Sequence, residues 1–379
     1  MISAVMACSL LSTGTAAQTL LASEGLGAPS EPLDARSRAL GGSGIGLSGA
    51  YLLEEDPAAS AGLFVPTASF TIQTGTTTLD GGGAAGNTRF PAIAASYPYR
   101  GNVFSVRVGS FLDQEWEARS ESTIEVGVKQ VRVTDRFTSG GSVARVSVGW
   151  ARSVAESMAV GLILGSHTGT TERVFSRLLN SEDIGAGVIA FEAGGRFRAS
   201  GAFAGIGAAW DPLPLLHVAG SVVWSDDLVL SPADADASET GRYNLPLELR
   251  GGGTVTLASG LGLHLGLTYS DWSDTGLASG VPRGSTWSYG GGLEWLGETL
   301  AGRPLPLRVG ARHRDLPFLS SGEEASERSL SGGLAFDLVE MEGLPLARLE
   351  LGVEKGSRQA ASFSEQFWRT TVSVRVSAG

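Results

Sequence analysis

The chain has 379 residues and a formal net charge of −11, which speaks against a nucleic-acid surface, where affinity comes from neutralising phosphates. Glycine supplies 54 residues, about twice the usual share, without the G-X-Y period of collagen, and a hydrophobic fraction of 42% is that of an ordered protein. The single cysteine, Cys8, excludes a disulfide framework and a cysteine-based zinc site.

Residues 1–17 are small and apolar and read as a signal peptide cleaved after Ala17, although the usual basic start is missing. No apolar run approaches the roughly 18 residues of a transmembrane helix. Residues 18–65 are rich in glycine and small side chains. Gly44-Ile45-Gly46-Leu47-Ser48-Gly49 matches G-x-G-x-x-G literally. A dinucleotide loop must follow a buried strand and open a helix within a βαβ unit. Neither flank fits, so the match is expected by chance in so glycine-rich a chain.

From residue 66 onward one rhythm takes over: segments of about ten residues alternate apolar and polar, with turns between them. Fourteen strands are expected, at 67–77, 89–98, 102–114, 143–153, 156–169, 196–210, 214–228, 244–257, 260–272, 286–297, 304–315, 327–340, 345–356 and 366–377. In the last, Trp368, Val372, Val374 and Val376 oppose Arg369, Thr371, Ser373 and Arg375. The strands are long enough to cross a bilayer at a tilt, and short turns alternate with long polar connections. Trp150, Trp210, Trp224, Trp287, Trp295 and Trp368 sit near ends of apolar faces, where an interfacial girdle belongs. Lipid offers no hydrogen bonds, so such a sheet must close. The expected fold is all-β: a transmembrane antiparallel β-barrel of about 14 strands over residues 66–379. A soluble secreted sandwich or solenoid is the competing architecture.

The polar faces should line the lumen. They carry Arg107, Arg145, Arg250, Arg308, Arg312, Arg314, Arg348, Arg369 and Arg375 against Glu248, Glu294, Asp337, Glu350 and Glu354. Paired charges filling a polar interior is the plain reading. The functional one is a carboxylate site, because Arg offers a bidentate fork; Arg308, Arg312, Arg314 and Arg348 are its candidates. The connection 171–195 is apolar for an exposed loop, with Val174, Phe175, Leu178 and Leu179 at helical spacing, and is a candidate capture surface for a hydrophobic ligand.

Enzyme signals fail. His313-Arg314-Asp315-Leu316 spells H-R-D-L, but Ser320 stands where that motif needs Asn, and no kinase-type lysine strand accompanies it. His167, His217, His264 and His313 lie on different strands without ligand spacing, so neither metal nor cofactor is expected. His264 and Ser288 could meet across strands, but inward serines are expected in any polar lumen.

The stretch 35–63 resembles the N-terminal signature of the FadL/TodX-like outer-membrane transporters and their PorV-like relatives. Ala35-Arg36-Ser37-Arg38-Ala39-Leu40-Gly41-Gly42, then Glu55-Asp56-Pro57-Ala58 and Ala61-Gly62-Leu63, carry the likeness, with Ala59-Ser60 where the family has Asn-Pro. The resemblance implies an N-terminal lumenal plug over residues 18–65, with Arg38, Gly41, Gly42, Leu47, Tyr51, Asp56 and Pro57 among its residues. It also implies an integral bacterial outer-membrane protein that depends on the barrel-assembly machinery and on outer-membrane lipid. Its expected work is passive uptake of long-chain fatty acids or other hydrophobic small molecules. The PorV-like alternative is a barrel that docks or shuttles secreted or surface proteins without transport.

Overall fold

Each of the fourteen alternating segments forms one strand. They are β1 Thr67–Leu79, β2 Ala84–Tyr99, β3 Asn102–Asp113, β4 Lys129–Ala155, β5 Met158–Leu179, β6 Ala190–Leu213, β7 Leu216–Ser225, β8 Glu248–Thr256, β9 Leu261–Asp271, β10 Ser285–Trp295, β11 Leu307–Ser320, β12 Glu323–Met341, β13 Leu344–Ala360 and β14 Phe363–Ser377. The computed structural model describes residues 16–17, 26–79, 84–126, 129–179, 190–233, 240–257, 260–275, 284–300, 302–320, 323–341, 344–360 and 363–378. The expected signal peptide lies outside the described residues except for Ala16–Ala17, which pairs with Trp116–Glu117.

Neighbouring strands pair antiparallel in chain order, and β14 pairs with β1 from Glu365↔Leu79 to Ser377↔Thr67. That pairing closes the sheet, so no barrel edge is left with unmatched backbone groups. A two-residue turn joins β2 to β3. Its central residues, Arg100 (φ 50°) and Gly101 (φ 75°), both take the left-handed backbone that matches strand twist in tight hairpins.

Period two sorts the side chains inside out. Val106, Val148, Leu164, Ile206, Leu265, Val309 and Leu330 are exposed on the outer surface, while Arg107, Ser147, His167, His264 and Arg308, at positions of the opposite parity on the same strands, are buried. Trp210, Trp224, Trp287, Trp295 and Trp368 are exposed outside as well, as an interfacial girdle requires. This is the architecture of an outer-membrane β-barrel.

Two expectations are corrected at the long-loop end. The long polar connection expected between the strands 102–114 and 143–153 is mostly sheet: Trp116–Val126 pairs antiparallel with the start of β4, residues 127–128 lying outside the described residues. The apolar stretch from residue 171 is not helical either. β5 continues through Leu179, paired with β4 on one side and β6 on the other. Backbone pairing to two neighbours outweighs the chance helical spacing of four apolar residues. Residues 180–189 of that connection lie outside the described residues.

Candidate functional site

The segment from Leu26 to Pro66 pairs with the wall only briefly, Ala28 with Asp113 and Pro29 with Leu112 of β3, and otherwise lies against its inner face. Local chemistry shapes it first. Asp34 caps the short helix α1 (Ala35–Ala39), its Oδ1 accepting from Ser37 N at 2.8 Å and from Ser37 Oγ at 2.7 Å. Gly41 and Gly42, at φ 89° and 69°, turn the chain away after the helix.

Asp56 then folds the next stretch on itself. It accepts from Gly46 N at 3.1 Å, Tyr51 Oη at 2.8 Å and Ala59 N at 3.1 Å. Burial holds the Asp56 carboxyl above its ordinary range, although these donors pull the other way. Burial and the neighbouring Asp56 push the Tyr51 hydroxyl well above its own. Leu40, Leu47, Tyr51, Leu53 and Ala59 form the apolar centre of the segment.

The wall beneath is stripped of side chains where the segment crosses it. A Cβ on Gly292 would meet Leu40 Cα at 2.8 Å, one on Gly109 would meet Pro32 Cβ at 2.7 Å, and one on Gly352 would meet Ala35 O at 2.9 Å. Gly266 faces Ser43, Gly252 faces Ile45, and Gly161 and Gly207 face Pro57 as closely or more closely. Much of the glycine excess is thus a seat for this segment. Ala35 N donates to Ser373 Oγ at 2.9 Å, Ser331 Oγ to Ala39 O at 3.1 Å, Thr254 Oγ1 to Gly46 O at 2.8 Å, and Ser221 Oγ to Glu55 O at 2.7 Å.

Three ion-pair clusters fasten segment to wall. Glu31 is shared by Arg312 (2.6 Å through Nη1), Arg314 (3.3 Å) and Arg38 (3.1 Å). Burial works against its ionisation, but these guanidinium groups hold the Glu31 carboxyl well below the usual range. Arg36 reaches Glu294 at 2.7 Å, and Glu294 also accepts from Arg308 at 2.7 Å. Glu54 accepts from Arg145 at 3.2 Å, and Arg145 holds Glu248 at 2.6 Å. A fourth cluster lies within the wall and shares Arg314 with the first: Glu327 takes Arg314, Arg358 and Arg369 at 3.2, 2.7 and 2.9 Å.

Arg308, Arg312, Arg314 and Arg348 therefore come to one side of the lumen, but not as a surplus of positive charge. Arg348 is matched by Asp337 at 3.2 Å, and Arg308 also reaches Glu350 at 3.2 Å. Sequence reading missed the carboxylates that answer them from the segment, Glu31 and Glu54. The available signal was an acidic N-terminal stretch set against strand faces rich in arginine.

The long-loop end of the lumen is apolar. Leu26, Phe111, Leu112, Val143, Ala199, Leu228, Leu230 and Leu245 pack there, with Phe197, Tyr243 and Trp272 against them. Beside them a cavity of about 110 Å³ is bordered by Pro29, Glu31, Phe111, Arg250, Trp272 and Leu316. Farther out, a second cavity of about 410 Å³ touches Trp116, Phe137, Val174 and Phe175. Strand alternation divides the four residues at the expected capture surface. Phe175 and Leu179 share one face, while Leu178 is exposed on the opposite one and Val174 borders the outer cavity.

The closed fourteen-stranded barrel with an apolar exterior is a fold that solved channels and transporters share. No protein-family model matches the chain, and no curated protein matches it. Among solved structures it is similar to the CymD monoaromatic hydrocarbon channel at 15% identity, covering 91% of this chain and 97% of that one, with a TM-score of 0.60. The Ralstonia pickettii toluene transporter TbuX matches at 13% identity over 92% and 98% of the two chains, TM-score 0.61. A Pseudomonas aeruginosa FadL homologue matches at 12% identity over 96% and 98%, TM-score 0.55. At these identities the likeness establishes the fold, and the matched proteins are named as channels, transporters or FadL homologues rather than enzymes.

Proposed function

We propose that this protein is a passive outer-membrane channel for hydrophobic small molecules, long-chain fatty acids among them, and that residues 18–65 act as its plug. The observation that carries this reading is the apolar lining of the outer lumen directly above the seated segment. A hydrophobic ligand leaves water at the mouth, where Phe175, Leu179 and Val174 offer apolar contact, and gains further by entering the cluster around Phe111 and Leu230. Onward passage requires the segment to shift, because Arg312–Glu31 and Arg36–Glu294 tie it across the lumen. The arginines that read as headgroup ligands then serve as its fasteners. No nucleotide is needed, since transfer runs down the ligand gradient. Membrane lipid and the barrel-assembly machinery are the partners this reading requires.

The test is entry of radiolabelled oleate and toluene into proteoliposomes carrying the full chain. Saturable, protein-dependent entry of either, with glucose excluded, supports the channel. A lumen spanned by ion pairs favours the PorV-like alternative. If no hydrophobic probe enters, and surface proteins co-purify with the barrel, the docking role replaces this reading.

A further inference from the structure

The long-loop end carries a feature that the plug and its fasteners do not use. Above the barrel, four successive strands each present one aromatic ring: Trp116, Phe137 on β4, Phe175 on β5 and Phe191 on β6. Register fixes their facing. Phe137 stands opposite Phe175, and Trp116 opposite Ser139. Phe137 keeps the parity of Val131, Val133 and Asp135, all buried, and of Arg145 inside the barrel. The rings thus lie on a continuation of the lumenal face. Their centroids are 6.4, 4.7 and 6.3 Å apart in chain order, with interplanar angles of 43°, 42° and 60°. Such spacing and tilt leave ring edges and faces on offer to a further ring.

Two polar groups sit among them without partners. The Trp116 indole N–H and the Ser139 hydroxyl are buried, cross-strand neighbours, and neither has a hydrogen-bond partner among the described residues. A buried N–H without an acceptor is an uncommon feature that calls for a reason. The nearby cations are already engaged. Arg177 donates to Asp135 through two bonds of 2.6 Å, Arg136 donates to Glu117 at 3.0 Å, and Arg173 is also partnered. The cavity of about 410 Å³ bordered by Trp116, Phe137, Ser139 and Phe175 falls in the size range of small-molecule sites.

We infer that this outer cavity is a binding site for a small, neutral aromatic molecule carrying a hydrogen-bond-accepting oxygen, such as an aryl ketone or aryl ether. The rings supply the apolar and edge-to-face contacts. Trp116 Nε1–H and the Ser139 hydroxyl supply donors for the oxygen. A carboxylate gains little from Arg177 and Arg136, already held by Asp135 and Glu117, and an alkyl chain leaves both donors unpaired. The site lies on the way to the lumen, so its use as a point of entry rests on the channel reading; the binding itself does not.

Equilibrium dialysis of radiolabelled acetophenone against the full chain in nanodiscs, with empty nanodiscs subtracted, tests this. Toluene, benzoate and palmitate serve as competitors. Trp116→Phe keeps a ring and removes the donor: acetophenone affinity should fall about 3- to 10-fold, the worth of one hydrogen bond, while toluene affinity holds. Phe175→Leu should weaken both, with Phe137→Leu as the second variant should that protein fail to fold. An unchanged acetophenone affinity in Trp116→Phe, stronger competition by benzoate or palmitate than by unlabelled acetophenone, or no binding at all overturns the assignment. None of these outcomes depends on transport, so the proteoliposome result stands or falls separately.

Discussion

Pro57 of the lumenal segment sits so near Gly207 of β6 that a methyl group on that glycine would come within 2.8 Å of the proline Cδ. The same relationship recurs between Leu40 and Gly292 and between Pro32 and Gly109. A wall of this kind constrains the path of the chain, because a proline ring or a Cα cannot yield as a flexible side-chain tip can.

Filling the seat should therefore unseat the segment while sparing the barrel. Gly207→Ala and Gly161→Ala, whose added Cβ would meet Pro57 first, are expected to cost about 1–3 kcal/mol of docking, the usual range for overpacking. Reconstituted protein should become more sensitive to trypsin at Arg36 and Arg38, with the heat-modifiable gel shift retained. Gly251→Ala, where an added Cβ meets nothing within 4 Å, is the control and should behave as wild type.

Removing Arg312 should loosen the Glu31 cluster. Arg312→Met leaves a buried carboxylate with only Arg314 and Arg38, and breaking a buried pair typically costs about 3–5 kcal/mol. Faster hydrogen exchange over α1 is the expected result. The double variant with Glu31→Gln should recover none of the loss, because it takes from the buried Arg38 the carboxylate with which it pairs.

Docking should weaken as pH rises. Asp56 is held above its ordinary carboxylate range by burial, and burial raises Glu55 likewise, with Arg250 opposing. A group whose folded value is raised contributes stability that is complete below its unfolded value, about 4, and is lost as pH rises through the folded value. Glu31 is depressed and acts in the opposite sense, but only at pH below the ordinary range. Exchange at the Gly46 and Ala59 amides, corrected for intrinsic base catalysis, should therefore increase with pH. Asp56→Asn should flatten much of that slope.

The outward face of the sheet should be intolerant of charge in a way no soluble protein would show. Val148 is exposed on β4, midway along the 143–153 stretch. Val148→Arg should cost about 2–4 kcal/mol if that face meets the bilayer midplane, and well under 1 kcal/mol if it meets water. Urea titration of the protein refolded into lipid vesicles reads the difference.

The alternation of Val372, Val374 and Val376 with Thr371, Ser373 and Arg375 determined a strand and its two faces by itself, because side-chain direction in a strand has a period of two residues and nothing else need be known. Strand number, the outward tryptophans and the inward arginines were legible for the same reason. The extension of β4 and β5 was not. There Gly140-Gly141 and a polar stretch look like loop, and only pairing with both neighbours makes them sheet. Nor could the sequence tell which partner answers which charge. Arg312 and Glu31 are 281 residues apart, and only barrel closure around the N-terminal segment brings them together. The glycines were countable in the sequence, but their meaning depends on what passes within 3 Å of them. That is set by where the segment lies in the lumen, a property of the closed barrel and of no single strand.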